Sequence, residues 1–348
     1  MYERFMKRAI ELAKKGLGRV NPNPPVGAVV VKEGRIISEG FHPYFGGPHA
    51  ERVAIESAKR KGEDLTGTTL VVTLEPCDHH GKTPPCTDLI IESGIKKVVI
   101  GMRDPNPVSG SGVEKLKKHG IEVVEGVLEE EVKKLCEFFI TYVTENRPFI
   151  ALKYASTLDG KIADAEGNSK WITQDLRHKA HEMRNVYSAV LVGARTVLKD
   201  DPRLTCRLKG GRNPTRVILD RRGILSGGSY RVFEDNARVI VFTENKEAKY
   251  PVHVEKVLND CSVGGILKVL YEKGVDSVLV EGGSEVLGEF LEYADVVFAF
   301  YSTKVFGEGL DVFSGYRSSV SDPPRFRIVR SEHTDTELFL EMRPCSRG

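Results

Sequence analysis

The sequence lacks the features that would place it in a membrane, in a disulfide framework or on a nucleic acid. Its 348 residues contain no run of about 18 apolar residues, so no transmembrane helix is expected. Six cysteines are too few for a dense disulfide framework at this length, which favours reduced thiols and a cytoplasmic protein. A formal net charge of +2 shows no basic excess, so a nucleic-acid partner is not expected.

The N-terminal segment also lacks the character of a signal peptide. MYERFMKRAIELAKKG is charged and amphipathic, and it therefore predicts a helix. No internal repeat equates the two halves of the chain, and no segment is of low complexity. The length is typical of about two domains, and ENRP is the predicted link between them. We therefore expect domains over residues 1–145 and 146–348.

Short apolar strands alternate with amphipathic helices in both halves. In the first half, helices are predicted over residues 3–16, 48–62, 86–94, 111–120 and 129–143. The second half begins with the strand PFIALKYAS and ends with the strand ELFLEMRP. Strands that are separated by helices of about ten residues indicate an α/β protein with parallel sheets covered by helices.

Three residues in the first half have the types and positions of a catalytic zinc site. His49 begins a predicted helix, Cys77 follows the strand TLVVTLEP, and Cys86 begins the next helix. Imidazole and thiolate are ligands that zinc prefers, and three such ligands leave the fourth position open for water. A zinc ion lowers the pKa of that water toward neutrality. Glu51 would then carry protons between the water and the substrate.

Each of these residues also has an ordinary explanation. His-Ala-Glu is common in helices, and two cysteines can flank a loop by chance. Their joint order, each at a junction between a loop or strand and a helix, favours the zinc site. The usual zinc-deaminase signature has two residues between its cysteines, whereas this chain has eight, including His79 and His80.

These motifs resemble the cytidine-deaminase superfamily, and within it the pyrimidine deaminases of riboflavin biosynthesis. The resemblance is carried by NPNPPVGAVVV, GFHPYFGGPHAE and TLEPCDHHGKTPPC. It implies a cytidine-deaminase-like three-layer domain in which zinc is held by one histidine and the two flanking cysteines. It further implies a substrate pocket that contains Asn23, His42, His80 and Lys82. Asn23 could equally be a turn residue, and His42 a satisfied loop histidine.

The second half lacks the GxGxxG motif of a Rossmann dinucleotide site but has another glycine cluster. In DSVLVEGGSEVLGEF, an apolar strand runs into Glu281-Gly282-Gly283, and a helix is predicted to begin at Ser284. Small residues at such a turn let backbone N–H groups approach a phosphate. Many turns between a strand and a helix contain Gly-Gly, so the turn alone leaves cofactor binding undecided.

A wider set of motifs resembles the riboflavin-pathway reductases, which have a dihydrofolate-reductase-like fold. These motifs are LKYASTLDGKIA, SKWIT, VLVGARTVLKDDPRLTCR and VEGG. The resemblance implies NADPH contacts at Ala155, Trp171, Thr196, Asp200, Arg221, Gly283, Ser284, Glu285, Val286, Leu287 and Gly288. It implies contacts with the reductase substrate at Ser169, Arg184, Leu204, Arg207 and Glu281.

Three of these arginines are assigned to phosphates because guanidinium binds phosphate bidentately. Arg184 and Arg207 would clamp the 5′-phosphate of the substrate, and Arg221 would suit the extra phosphate of NADPH. The alternative for Arg184 and Arg207 is a solvated surface or a structural ion pair. Trp171, the only tryptophan, could equally be a core residue.

A deaminase followed by a reductase indicates the bifunctional enzymes of riboflavin biosynthesis. Their implied first substrate is 2,5-diamino-6-ribosylamino-4(3H)-pyrimidinone 5′-phosphate, whose deaminated form is reduced by NADPH to 5-amino-6-ribitylamino-2,4-pyrimidinedione 5′-phosphate. The resemblance also implies a homodimer or homotetramer formed through the reductase domain.

Two other functions stay open at this point. A nucleic-acid base deaminase with an appended binding domain would need a basic surface and usually the short cysteine spacer. A structural zinc protein with a decayed reductase half would use His79 or His80 as a fourth ligand.

Overall fold

Two large sheets organise the part of the chain that the structure describes. The computed structural model describes residues 2–79, 84–109, 111–169, 173–235 and 237–345. The chain divides into two units, Met1–Asn146 and Arg147–Gly348, and each unit has its own sheet and hydrophobic core. Among the described residues, no helix has the length and apolar character needed to cross a membrane.

The first unit places helices around a five-stranded sheet. Its elements are α1 (Glu3–Lys14), β1 (Gly27–Lys32), β2 (Arg35–Phe41), α2 (Ala50–Arg60), β3 (Thr69–Leu74), α3 (Cys86–Glu92), β4 (Lys97–Met102), α4 (Gly112–Lys118), β5 (Glu122–Val124), α5 (Glu129–Leu135) and α6 (Glu137–Glu145). The strand order is β2-β1-β3-β4-β5. The predicted helix over residues 129–143 is divided at Cys136, whose φ of −100° and ψ of 13° leave the helical region.

The prediction of parallel strands is right for β3, β4 and β5 but wrong for the first two strands. β1 runs antiparallel to both β2 and β3. The reason is a tight hairpin in which Lys32 pairs with Arg35. Glu33 and Gly34 have φ values of 48° and 74°, as a two-residue hairpin turn requires.

The sheet of the first unit is covered on both faces, which gives three layers. Along β1, Val30 packs in a cluster with residues of α2, α3 and α4. The next residue toward the N-terminus, Val29, packs in the opposite cluster with residues of α1, α5 and α6. Alternation between the faces of a strand explains why VGAVVV is apolar throughout.

The second unit has a nine-stranded sheet. Its elements are β6 (Phe149–Ser156), β7 (Lys161–Ala163), α7 (Arg177–Val186), β8 (Ala189–Gly193), α8 (Ala194–Asp200), β9 (Thr215–Leu219), β10 (Val239–Thr243), β11 (Val254–Leu258), α9 (Val263–Glu272), β12 (Ser277–Gly282), α10 (Ser284–Phe290), β13 (Val296–Ser302), β14 (Leu310–Asp311), β15 (Phe326–His333) and β16 (Glu337–Pro344). The order of the large sheet is β11-β10-β9-β8-β12-β6-β13-β16-β15, and β7 pairs with β14 separately.

The direction of the strands determines where a ligand site can form in the second unit. The seven strands from β11 to β13 run parallel, and β16 and β15 continue the sheet antiparallel. The carboxyl ends of β6, β8, β9 and β12 therefore meet at one edge, where ligands of open parallel sheets bind. The sequence analysis missed β15 because its residues are mostly exposed and carry no alternating apolar pattern.

Candidate active sites

The side chains of His49, Cys77 and Cys86 converge in the first unit. Nδ1 of His49 lies 3.5 Å from Sγ of Cys77 and 3.4 Å from Sγ of Cys86. The three candidate ligand atoms all lie within 4.8 Å of one another. Tetrahedral zinc, with bonds of about 2.0–2.3 Å to nitrogen and sulfur, places such atoms about 3.6 Å apart. The three residues therefore fit zinc, with Nδ1 as the nitrogen ligand.

Helix starts bring these ligands together. His49 is the N-cap residue of α2 and has an extended backbone, so its side chain lies at the mouth of that helix. Cys86 is the first residue of α3, and its backbone N–H lies 3.5 Å from the sulfur of Cys77. Cys77 itself follows β3 after two residues that belong to no helix or strand. Strand and helix ends thus supply ligands that are far apart in the sequence.

The two sulfurs and the imidazole are electrostatically coupled. The hydrogen bond from the Cys86 thiol lowers the pKa of Cys77 to about 4, and the same pairing raises the pKa of Cys86. The hydrogen bond to Cys77 raises the pKa of His49 to about 9. The group thus holds a thiolate, which is the form of cysteine that binds metals.

Glu51 lies in the first turn of α2 with its carboxyl beside the candidate ligands. The residue is only 3% exposed, and burial raises the pKa of its carboxyl, although the nearby His49 opposes the shift. The carboxyl also interacts with Cys86 by a hydrogen bond. A buried carboxyl with a raised pKa holds a proton more readily than an exposed one, which suits a general acid–base.

Two residues predicted to line the pyrimidine pocket also lie at this site. The rings of His42 and His49 are 5.7 Å apart. Nδ1 of His42 lies 2.9 Å from the carbonyl oxygen of Pro48, so Nδ1 carries the proton. Nε2 is then the acceptor for the amide nitrogen of Asn23 at 3.3 Å. Because the amide nitrogen of Asn23 faces His42, its amide oxygen is left to accept a hydrogen bond from a ligand.

The spacer between the cysteines is described only in part. His80 and Lys82, both predicted to face the substrate, lie outside the described residues. His79 is not in the ligand cluster; its Nδ1 lies 3.3 Å from the carbonyl oxygen of Ser109. Within the described ranges the cluster therefore has three protein ligands, which is the number that a catalytic zinc site uses.

Glu75 has a supporting role that the sequence analysis missed. It is 6% exposed, and its two carboxylate oxygens accept hydrogen bonds from the backbone N–H groups of Asp104 and Val113 at 3.2 and 2.9 Å. These bonds tie the segment after β4 to the segment that carries Cys77. The signal that could have identified Glu75 is an acidic residue directly after an apolar, largely buried strand.

The second unit has a cavity of about 740 Å³ at the carboxyl ends of its parallel strands. This volume lies within the range of about 300–1,000 Å³ that ligand pockets occupy. The predicted residues that line it are Ala155, Ser169, Arg184, Thr196, Asp200, Leu204, Arg221, Glu281, Gly283, Ser284, Glu285, Val286 and Leu287. Arg207 and Gly288 are not in the lining, and Trp171 lies outside the described residues.

Arg184 and Glu281 are paired inside this cavity. Nε and Nη2 of Arg184 each lie 2.6 Å from one carboxylate oxygen of Glu281, and Nη1 donates to the carbonyl oxygen of Thr205 at 3.2 Å. Burial raises the pKa of Glu281, but the arginine outweighs this effect and holds the pKa below its ordinary value. Arg184 thus neutralises the charge of Glu281. The sequence analysis had instead assigned Arg184 to the 5′-phosphate of the substrate.

Arg207 is in a different situation from Arg184. It is exposed, and its guanidinium makes no hydrogen bond or ion pair with the part of the chain that is described. A cation without a protein partner can pair with a phosphate without first breaking another contact.

Lys153 is a cavity residue that the sequence analysis missed. It lies on β6 and lines the cavity, and its Nζ is 5.6 Å from the centre of the Phe300 ring. Burial lowers the pKa of Lys153, while the nearby Glu281 opposes that shift. A lysine in the middle of the apolar strand FIALKYAS was the signal that could have identified it.

The glycine turn after β12 is braced by side chains. The backbone N–H of Gly283 donates to Oγ1 of Thr196 at 3.1 Å. The hydroxyl of Ser284 donates to the carbonyl oxygen of Asp311 and accepts from the N–H of Ser314. The turn is therefore held against α8 and against the segment after β14, which gives this wall of the cavity a defined shape.

Comparisons with known proteins match both halves of the chain. The cytidine and deoxycytidylate deaminase zinc-binding region matches residues 1–102, and the RibD C-terminal domain matches residues 148–340. The riboflavin biosynthesis protein RibD of Aquifex aeolicus is 45% identical over 346 residues, covering 97% of this chain and 96% of that protein. RibD of Escherichia coli is 33% identical over 365 residues, covering 98% of each.

Solved structures lead to the same family. A crystal structure of a diaminohydroxyphosphoribosylaminopyrimidine deaminase/5-amino-6-(5-phosphoribosylamino)uracil reductase from Thermotoga maritima is 79% identical. It covers 99% of both chains with a TM-score of 0.97. RibD of Acinetobacter baumannii is 34% identical, with a TM-score of 0.91 and 99% coverage of both chains.

The fold class predicted from the sequence, a cytidine-deaminase-like domain followed by a dihydrofolate-reductase-like domain, is confirmed. The deaminase domain uses zinc, and the reductase domain uses NADPH. The chain belongs to the RibD family and is a bifunctional enzyme of riboflavin biosynthesis, both a deaminase and a reductase.

Proposed function

We propose that the first unit deaminates 2,5-diamino-6-ribosylamino-4(3H)-pyrimidinone 5′-phosphate and that the second unit reduces the ribosyl chain of the product. The final product would be 5-amino-6-ribitylamino-2,4-pyrimidinedione 5′-phosphate. The observation that carries the first step is the buried Glu51 carboxyl beside three side chains with the spacing of zinc ligands. The two units and the two family matches support domains over residues 1–145 and 146–348.

In the deaminase, His49, Cys77 and Cys86 would hold the zinc ion. When bound, zinc supplies a Lewis acid that lowers the pKa of water. Glu51 takes one proton from the attacking water and gives it to the ring nitrogen, and it then takes the second proton from the new hydroxyl group and gives it to the departing amine. Ammonia leaves, and a carbonyl replaces the exocyclic amine at C2. The raised pKa of Glu51 suits it both to accept and to donate that proton.

The deaminase substrate would be oriented by Asn23 and His42. Because Nε2 of His42 accepts from the amide nitrogen of Asn23, the amide oxygen is left to accept from an N–H group of the pyrimidine. This orientation favours a ring that presents an amine over one that presents a carbonyl.

In the reductase, residues of the cavity, together with Arg207 and Gly288 outside its lining, bind and orient the two reactants. NADPH supplies a hydride to C1′ of the opened ribosyl chain when it is bound. The contacts proposed for it are Ala155, Thr196, Asp200, Arg221 and the turn from Gly283 to Gly288. Those proposed for the substrate are Ser169, Arg184, Leu204, Arg207 and Glu281. Positioning two reactants in a shared cavity supplies a large part of the rate enhancement of such a reaction.

The 5′-phosphate of the reductase substrate would pair with Arg207, whose guanidinium is exposed and has no partner among the residues described. Arg184 would act beside it by keeping Glu281 ionised and in position. The buried Glu281 carboxylate and the half-buried Lys153 lie in the cavity wall and can hydrogen-bond to the substrate.

We further propose that the enzyme is a cytoplasmic homodimer or homotetramer assembled through its reductase domain. Support for the assembly comes from β15, an edge strand of the large sheet that exposes Ile328 and Val329 at 60% and 41%. Unpaired edge strands with apolar side chains are ready sites for association. Support for the location comes from the six cysteines, all of which are free. Size-exclusion chromatography coupled to light scattering would measure the oligomeric state of the protein.

One incubation tests the two proposed activities together. The zinc-loaded protein is mixed with the diaminopyrimidine nucleotide, with and without NADPH, while ammonia and absorbance at 340 nm are followed. We expect ammonia in both samples and a fall in absorbance only after ammonia appears. A cytosine-containing oligonucleotide is the control for nucleic-acid deamination. Release of ammonia from the oligonucleotide but not from the nucleotide would contradict the proposal.

A further inference from the structure

The turn after β9 presents two neighbouring arginines to the reductase cavity. Arg221 and Arg222 both line it, and both are exposed. They follow Asp220, which is 1% exposed. In open parallel sheets, side chains at the carboxyl end of a strand often contact the ribose of a bound dinucleotide. The chemistry of this turn therefore bears on which nicotinamide cofactor the cavity accepts.

The carboxylate of Asp220 is occupied by hydrogen bonds within the protein. Its carboxylate accepts hydrogen bonds from the backbone N–H groups of Ile224 and Leu225 at 2.8 and 3.0 Å and from the hydroxyl of Tyr250 at 2.8 Å. A carboxylate at such a position favours NADH when it is free to bind the ribose 2′-hydroxyl. Here it is turned inward, so it is not available to bind a hydroxyl or to repel a phosphate.

The two arginines differ in their partners. Arg221 donates to both carboxylate oxygens of Glu289 at 2.9 and 2.6 Å and to the carbonyl oxygen of Cys261 at 3.1 Å. The charge of Arg221 is therefore neutralised by Glu289 of α10, and a phosphate would have to compete with that carboxylate for the guanidinium. The guanidinium of Arg222 makes no hydrogen bond or ion pair with any residue in the described ranges. Of the two arginines, Arg222 is therefore the one whose guanidinium is available to bind an anionic ligand.

We propose that Arg222 selects NADPH over NADH by pairing with the 2′-phosphate of the cofactor, and that Arg221 braces the turn against α10. This inference rests on the proposed binding of NADPH in this cavity. A guanidinium can bind a phosphate with two parallel hydrogen bonds, and it has no comparable interaction with the ribose hydroxyl of NADH. The assignment moves the phosphate contact by one residue from the one that the sequence pattern suggested.

Calorimetric titration of the whole protein with NADPH, NADH, 2′,5′-ADP and 5′-AMP tests the proposal without any turnover. For Arg222→Ala we expect NADPH and 2′,5′-ADP to bind about tenfold to hundredfold more weakly, as befits the loss of charged hydrogen bonds. The affinity for NADH and 5′-AMP should stay within about twofold. Arg222→Gln should behave in the same way, and it serves as a second variant should the alanine variant fold poorly.

Arg221→Ala is the matched control. We expect it to weaken NADPH and NADH by similar factors, because it removes a brace and not a phosphate contact. The proposal is overturned if Arg221→Ala loses NADPH selectively, or if Arg222→Ala keeps the wild-type preference. A wild-type protein that binds neither nucleotide would instead overturn the proposed reductase function, so the two failures can be told apart.

Discussion

Arg184 and Glu281 form a bidentate ion pair between α7 and the end of β12, with both N···O distances at 2.6 Å. The side chains are 14% and 7% exposed, so little water screens them. A carboxylate buried at this depth would be protonated or would destabilise the fold if the arginine were absent. The pair therefore supports both the stability of the reductase unit and the charge inside its cavity.

Replacing Arg184 by glutamine should destabilise the reductase unit by about 3–5 kcal/mol at pH 7, because a buried charge is left unpaired. The arginine lowers the pKa of Glu281, so its stabilisation is present above the unfolded pKa and lost as pH falls through the folded one. In the variant, the arginine no longer opposes the effect of burial on the pKa of Glu281, so the loss of unfolding free energy relative to the wild type should shrink as pH falls from 7 to 5. Urea unfolding at both pH values measures this.

Arg238→Gln is the control for that experiment, because Arg238 forms an exposed ion pair with Glu255 in the same unit. Its loss should change the unfolding free energy by less than about 1 kcal/mol. A deficit of similar size in the two variants would show that Arg184 does not support a buried charge.

Glu51→Gln should keep zinc and lose deamination by about 10²- to 10⁴-fold, because the amide cannot carry a proton between water and amine. Zinc content measured by mass spectrometry and ammonia release are the two readouts. Glu56→Gln, on the same helix and paired with Arg52, is the matched control and should retain activity. Full deamination by zinc-loaded Glu51→Gln would end the assignment of Glu51.

Removal of zinc should abolish deamination while NADPH still binds, because the ligand cluster and the reductase cavity belong to different units. A strong chelator, or Cys86→Ser, should give this separation, and added zinc should restore only the chelated protein. Cys345→Ser, which alters an exposed thiol, should bind one zinc ion per chain like the wild type. Equal zinc content in Cys86→Ser and the wild type would contradict the ligand assignment.

Arg207→Ala should raise the KM for the reductase substrate by about tenfold or more while NADPH affinity stays nearly constant, because charged hydrogen bonds contribute about 1.5–3 kcal/mol. Steady-state kinetics and cofactor titration together measure this. Lys209→Ala, two residues away and also exposed, tests for a general effect of charge. Similar losses of substrate and NADPH affinity would argue against a phosphate contact.

Gly112→Ala should destabilise the deaminase unit by about 1–3 kcal/mol and weaken zinc binding. A Cβ atom at Gly112 would lie 1.9 Å from the carbonyl oxygen of Pro76, so the backbone next to Cys77 must move. Gly264→Ala is the control of opposite sign: nothing lies within 4 Å of the added atom, and alanine in α9 should stabilise by about 0.5–1 kcal/mol. Thermal unfolding and zinc titration compare them.

The candidate zinc ligands could be predicted from the sequence because their chemistry is local. His49 and Glu51 share one turn, and Cys77 and Cys86 each stand at the end of a regular element, so spacing and residue type were enough. The same holds for the helices and buried strands, whose apolar periodicity is a property of short segments. The pairing of strands was harder to predict. The sequence analysis predicted β1 as a strand but not its antiparallel direction, because the residues of a strand do not show the direction of the neighbouring strand.

Only the tertiary structure decided what each charged side chain of the reductase cavity pairs with. Arg184 and Glu281 are 97 residues apart, and Arg221 and Glu289 are 68 residues apart, so no local pattern marks either pair. The sequence by itself determined the family, the candidate metal ligands and the presence of these arginines. Which arginine is neutralised and which is left for a phosphate depends on distances of a few ångströms across the fold, because that is the range over which an ion pair forms.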